Sequence, residues 1–508
     1  MSSTDFHSNH YPDSYVPFNG VGRCVEHRGS CLPALRQTSH LTPFSASGPT
    51  EREYTFWKPG RGRGVRQWHK DFGPTLRFRG MFGRVQLSTI DPKALNHILI
   101  SRAYAYPKPD TIRRGLGGVL GHGLIFAEGE THKRQKRLLG PTFSPVQIRE
   151  LAPVVYKYTY LLRDKWADII RSSQEPYVVI NVHAWLSRAT LDIIGSAGFG
   201  YHFGALEGDM NSSEMGKAFH YLISYLYDRR LSSKSRTPPK MLRDNILQSI
   251  PSSLRLYKPI SMKLIEESLK TLERESSAVF SKKRKEAEAG GVLGDKDLIS
   301  VLLRANVMAE GKECLRDEEV IGQVCRIYWS ISFNQSRLTH HLAWNSTQNQ
   351  MTTFLLAGHE TTATALTWLL WTLAKHPDVQ KRLRRELQEA RVVTSDAPSI
   401  DLNFGPDADV FRPDRWLEKG QVNALPGFWS GLMTFLGGPR ACIGYRFSLM
   451  ELKVILAVII CHFHFDERNG LGCGPEFEGR INVVMRPQVK GEKRGLSMPL
   501  RVGLVEVP

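Results

Sequence analysis

Residues 435–444 read Phe-Leu-Gly-Gly-Pro-Arg-Ala-Cys-Ile-Gly, and the long apolar run Tyr445–Phe463 follows directly. No other stretch constrains the chain as tightly. Glycine and proline exclude a strand or helix before the cysteine, while the apolar run demands a buried helix immediately after it. Gly437, Gly438 and Gly444 allow backbone to approach closely and let N–H groups aim at the Cys442 sulfur. A helix N-terminus beside that sulfur favours its thiolate form. Arg440 stands two positions away as a charge-assisted donor to a carboxylate. A lone cysteine in such a turn is more often a small buried hydrophobe; the whole constellation favours a cysteine presented as a ligand.

Composition limits what surrounds this loop. The chain has 508 residues, 41% of them hydrophobic, enough for a large core. Its seven cysteines, at 24, 31, 314, 325, 442, 461 and 473, show no paired spacing, which argues against a disulfide framework or a zinc site. The net charge is +18, with basic clusters at Arg61–Arg66, Lys133–Arg137, Lys282–Lys285 and Lys381–Arg385. A single cluster of this kind is usually a solvated helix face. Together they suit an acidic protein partner or an anionic membrane surface, and no nucleic-acid motif accompanies them. Residues 1–50 are polar and rich in Pro, His and Ser, and are expected to form a disordered leader. No apolar run is long enough to span a bilayer; Met351–Ala374 comes nearest, and His359 and Glu360 interrupt it.

Periodicity predicts a mainly α fold with a small β part. Pro74–Gly80 and Arg84–Thr89 read as a strand pair around Gly80–Gly83. Helices are expected from Asp91-Pro92 through Leu99, over Pro141–Tyr160, Trp166–Ile170 and Val182–Phe199, and over Ser261–Ala289, ending at Gly290-Gly291. Further helices are expected over Asp297–Leu303, Met351–Lys375 and Asp378–Ala390. Short strand-like runs follow Arg480.

Three further motifs carry chemistry. Ala357-Gly-His-Glu-Thr361-Thr362 sets an acid and an alcohol inside an apolar helix, where they cost stability unless partnered. Gly358 would let that helix distort. Gly129-Glu-Thr-His132-Lys-Arg-Gln-Lys136-Arg137 places His132 and Lys136 one turn apart, able to face a common carboxylate; a solvated basic helix reads almost as well. Phe411-Arg-Pro-Asp-Arg415-Trp416 precedes the cysteine loop.

These motifs, with Phe435, Gly438, Arg440, Cys442 and Gly444, resemble those of the cytochrome P450 family, and the resemblance runs from about Pro74 to the C-terminus, with two breaks. It implies a haem-thiolate monooxygenase that inserts one oxygen atom from O₂ into an apolar organic substrate. Cys442 would be the axial ligand of haem b, and its thiolate would favour O–O cleavage. Thr361 and Glu360 would deliver protons, Phe435 would pack against the sulfur side of the ring, and Arg440, His132 and Lys136 would hold propionates. Lysine is a looser substitute for the arginine usual at position 136. Electrons would come from NADPH through NADPH-cytochrome P450 reductase, docked on the basic cysteine-side face. Runs such as Tyr106-Pro-Lys-Pro and Ile148-Arg-Glu-Leu are similar to fungal microsomal members, which implies the cytosolic face of the endoplasmic reticulum membrane, although no transmembrane anchor is visible.

Two departures stand out within the expected domain, residues 51–508. The family's Glu-x-x-Arg helix, the partner of Arg415, is missing: the one Glu-x-x-Arg match, Glu313–Arg316, lies before the Thr361 helix, and only 82 positions separate Glu360 from Cys442. A block near 391–405 is expected to be lost, as exon skipping or a faulty gene model would leave. Conversely, Val324–Gln350 interrupts a helix that should flow from Gln323 into Met351, and its 27 residues are compatible with a retained intron. The competing expectation is a truncated, inactive P450-like protein unable to hold haem; a third is a basic helical module for lipid or protein surfaces. Substrate identity is not legible.

Overall fold

A computed structural model describes residues 63–79, 85–110, 113, 123–208, 213–227, 260–288, 297–308, 349–389, 411–416, 432–467, 476–481, 484–492 and 496–505. The leader, most of Val324–Gln350, the block near 391–405, Glu313–Arg316 and the turn Gly80–Gly83 lie outside these residues, as does the Gly290-Gly291 helix end. The chain divides into two compact units, the first reaching Ile90 and the second beginning, apart from a short stretch before residue 62, at Asp91.

The first unit holds α1 (Arg63–Phe72) and an antiparallel pair, β1 (Thr75–Arg79) with β2 (Val85–Thr89), in the register Thr75↔Thr89 to Arg79↔Val85. The expected strand pair is present. Helix α1 was not expected. It ends at Gly73, φ +93°, and its His69 ties it to the hairpin through Ser88 Oγ at 2.9 Å.

The second unit begins with α2 (Pro92–Asn96), capped by Asp91, which accepts from the Ala94 N–H at 2.8 Å. A π-helical turn, His97–Ser101, continues it. Then come α3 (Gly129–Leu139), α4 (Pro145–Ser173), β3 (Val178–Asn181), α5 (Val182–Phe199), α6 (Glu214–Tyr227), α7 (Ile260–Glu288), α8 (Leu298–Met308), α9 (Asn349–Lys375) and α10 (Pro377–Glu389). After them follow α11 (Tyr445–His462), β4 (Phe463–Asp466), β5 (Phe477–Ile481), β6 (Met485–Val489) and β7 (Pro499–Leu504). The two helical segments expected between Pro141 and Ile170 are one 29-residue helix that accommodates Pro153, and Gly140–Phe143 is a separate 3₁₀ turn. Ser144 caps α4, with Pro145 at its first position, where a missing N–H costs nothing.

Helix α5 is apolar on nearly all sides because it lies in the centre of the core, packed on α4, α8 and α9. Asn181 starts it, accepting from the Ala184 N–H, and Gly200 stops it at φ +63°. Gly358 of α9 faces this helix: a Cβ there would stand 2.7 Å from Ile194 Cγ1. Gly358 therefore serves close helix packing, and α9 runs as a continuous α-helix instead of distorting there. Helix α11 lies along α4 and beside α10, and Trp166 packs edge-on to Phe463 and Phe465 of β4 at 5.6 and 6.1 Å. Buried Gln380 on α10 locks that strand, donating to the Phe465 carbonyl and accepting from its N–H, each at 3.0 Å. Strand β7 pairs antiparallel with both β3 and β4.

Candidate functional site

The cysteine loop leaves a 3₁₀ turn at Met433–Phe435 and closes on itself: the Cys442 N–H donates to the Phe435 carbonyl at 2.9 Å, and the Ala441 N–H to Gly438 at 3.0 Å. Gly438 sits at φ +66°, where a Cβ would lie 2.0 Å from the Leu99 carbonyl oxygen. Its glycine is demanded by the His97–Ser101 turn beneath the loop, a neighbour no sequence pattern announced. Gly444 caps α11 and its N–H donates to the Cys442 sulfur. Cys442 is exposed to solvent. Burial pushes its thiol pKa up, while the Gly444 N–H and the nearby Lys136 charge pull it down. Phe435 places its ring 6.1 Å from Tyr445.

A basic cluster surrounds this loop. Arg440 donates to the Ala103 carbonyl at 2.5 Å, pairs with Glu128 and lies over the Tyr104 ring. Its Nε is buried with no hydrogen-bond partner. Glu128 also pairs with Lys108 at 2.8 Å. Burial opposes its ionisation, but the two cations outweigh burial and hold the carboxyl below its usual range. His132 and Lys136 share one side of α3, His132 buried and Lys136 half-buried. His132 is buried against Tyr104 Oη at 2.9 Å; burial, reinforced by Lys108, Lys136 and Arg440, lowers its pKa to about 4, so it is neutral at physiological pH. Lys136 Nζ donates to the Pro439 and Ala441 carbonyls at 2.5 and 2.9 Å.

On α9, Ala357, Thr361 and Ala365 form an exposed stripe along a helix otherwise largely buried. Thr361 Oγ1 donates to the Ala357 carbonyl at 2.6 Å. Glu360 lies off that stripe. It is buried, pairs with Arg486 on β6, and has its Oε1 3.3 Å from His359 Nε2. Arg486 was not singled out from sequence; a lone arginine in a short strand carries no signal until its partner is known. Thr362 Oγ1 lies 3.2 Å from Ser448 Oγ on α11, which ties the stripe-bearing helix to the one that follows Cys442. Of the Phe411–Trp416 motif, Asp414 pairs with Arg382 of α10 at 2.6 Å; the Arg415 side chain lies outside the described atoms.

Helices thus pack around a loop that offers one solvent-facing cysteine, with an N–H at its sulfur and cations alongside. The sequence model of the cytochrome P450 family matches residues 57–330, 333–403 and 399–491, and the chain belongs to that family. It is 32% identical to cytochrome P450 monooxygenase 128 of Postia placenta over 516 aligned positions, covering 86% of this chain and 87% of the relative. It is 31% identical to cytochrome P450 monooxygenase 205 of the same fungus, over 86% and 87% of the two chains. It is 29% identical to ganoderic acid synthetase CYP5150L8 of Ganoderma lucidum, over 78% and 82%. The chain is thus a monooxygenase-family oxidoreductase with fungal relatives, and binding of haem iron is a general property of the family. Among the described residues no helix is long and apolar enough to cross a membrane.

Proposed function

We propose that this chain is a haem-thiolate monooxygenase in which Cys442 would supply the thiolate ligand to haem b. The observation that carries this is the solvent-facing Cys442 sulfur, backed by the Gly444 N–H and set beside the orphaned, buried Nε of Arg440. An uncompensated buried donor beside an accessible thiol fits a ligand that brings both a soft metal and a carboxylate. When bound, haem supplies the reductive activation of O₂ that inserts one oxygen atom into an apolar substrate.

The protein residues do the rest. The Gly444 N–H takes up part of the sulfur's negative charge and moderates its donation. Arg440 would hold a propionate through its unpartnered Nε–H, with Gly438 letting the loop close over the Leu99 turn. Phe435 shields the cysteine loop from water. Thr361 presents Oγ1 on the open stripe of α9 and orients water there; Glu360, one residue back, is the carboxylate from which protons reach it. Arg486 holds Glu360 between proton transfers. Electrons come from NADPH through a reductase drawn to the basic loop face, on the cytosolic side of the endoplasmic reticulum membrane.

The second reading is a chain that cannot retain haem. It is favoured by the missing Glu-x-x-Arg block; an alignment of 516 positions that uses only 86% of this 508-residue chain contains long gaps on its side, in keeping with that loss. Expression with haem precursor and the difference spectrum of the reduced, CO-treated protein separates the two. The strongly red-shifted Soret band of a thiolate-ligated haem, absent from Cys442→Ala, supports the enzyme; its absence from the unaltered chain overturns it.

A further inference from the structure

Lys136 occupies the position where the sequence pattern anticipates a propionate holder, and its surroundings suit a different task. Its ammonium donates to two convergent carbonyls, Pro439 at 2.5 Å and Ala441 at 2.9 Å, which flank the cysteine loop. An ammonium has three rotatable donors and matches two carbonyls converging from one loop. A guanidinium fork matches the two oxygens of a carboxylate instead. In Arg440 nearby, both terminal amines are taken by the Ala103 carbonyl and Glu128, and the buried Nε–H alone lacks a partner. Lys136 thus spends its donors on the loop itself. Lys136 is half-buried, and its charge and Cys442 sense each other electrostatically.

We propose that Lys136 is a positioning residue for the cysteine ligand: its ammonium pins the Pro439 and Ala441 carbonyls and sets a fixed positive charge against the cysteine loop, raising the reduction potential of the bound iron. The proposal rests on the haem-thiolate reading. A cation behind an anionic ligand stabilises the reduced, more negative state of the site, and low local dielectric strengthens that influence. Two pinned carbonyls also keep the Phe435–Cys442 turn closed, so the sulfur stays aimed away from the loop.

The test is spectroelectrochemical, on the full chain reconstituted either with haem or with haem dimethyl ester, whose propionates cannot accept an ion pair. Lys136→Met removes charge and donors; Lys136→Gln keeps an N–H donor for the loop and remains informative should the methionine variant fail to fold. Both are expected to disfavour reduction about tenfold, a shift of about 59 mV for one electron towards negative potential. The shift should persist in the dimethyl ester, and Lys136→Arg, which keeps the charge, should leave the potential within threefold of the unaltered protein. A shift that vanishes with the ester overturns the proposal in favour of a propionate contact. An unchanged potential in the glutamine variant overturns it in favour of loop structure alone. Absence of a thiolate-type spectrum in the unaltered chain removes the haem-thiolate reading itself, a failure visible before any variant is measured.

Discussion

Replacing Glu451 by glutamine should flatten the pH dependence of stability between pH 5 and 8. Glu451 lies on α11, fully buried beside Thr362, and neither carboxylate oxygen has a well-formed hydrogen bond. Burial raises its pKa from the usual 4.5 to about 8, with Thr362 offsetting only part of the effect. The folded chain therefore holds a proton that the unfolded chain releases above pH 4.5. Stability is intact below that value and falls as pH rises towards the folded pKa of about 8, because folding then requires proton uptake. At about 1.4 kcal/mol per unit, the loss between pH 5 and 8 amounts to roughly 3 kcal/mol. For a chain of this length that corresponds to about 3 °C in Tm. Glutamine has nearly the same volume and cannot titrate. Thermal melts of haem-free protein at pH 5, 6, 7 and 8 should show Glu451→Gln gaining on the parent by about that amount across the series. Parallel profiles for the two proteins would refute the argument, since Glu451 would then be ionised and paired in a way its surroundings do not provide.

Two more outcomes follow from the same geometry. Gly438→Ala drives a methyl to within 2.0 Å of the Leu99 carbonyl at φ +66°, so the loop must open; haem retention after gel filtration should fall at least tenfold, and full retention would show that the Leu99 turn yields. On the acid side, His132 and His183 have pKa values lowered by burial to about 4 and about 3, so unfolding below pH 6.5 is accompanied by proton uptake. Stability should drop from pH 6.5 towards pH 4, and the double variant His132→Phe, His183→Phe should lose most of that slope in urea titrations at pH 4.5 and 6.5.

Much of this fold is legible in the chain because its helices carry their own signals. Val182–Phe199 begins at Asn181 and ends at Gly200, and both punctuation marks are in the sequence. Helix α6, Glu214–Tyr227, was not anticipated; its apolar residues are interrupted by Lys217 and His220, and its packing against α7 decides it. The cysteine loop, too, is legible as a motif, but the reason for its residues is not. Gly438 answers to Leu99, more than 300 positions earlier, and Lys136 to carbonyls at 439 and 441. An i,i+4 pattern places His132 and Lys136 on one face of α3 but says nothing of what lies opposite. Likewise the Glu360 carboxylate is visible in sequence, whereas Arg486, which clamps it, becomes visible only once β6 is laid beside α9.

Strand β7 joins β3 at Val178↔Val502 and β4 at Phe465↔Val502, so one late segment closes a sheet begun far earlier. During synthesis the β3 edge emerges and must wait for roughly 320 further residues, which at ribosomal rates of about 5–20 residues per second is on the order of 15–65 seconds. Throughout that interval the backbone groups of Val178–Asn181 that pair with β7 in the finished fold have no strand partner there. Closure of this sheet is thus tied to the end of synthesis, and slower translation lengthens the interval in which the edge stands open.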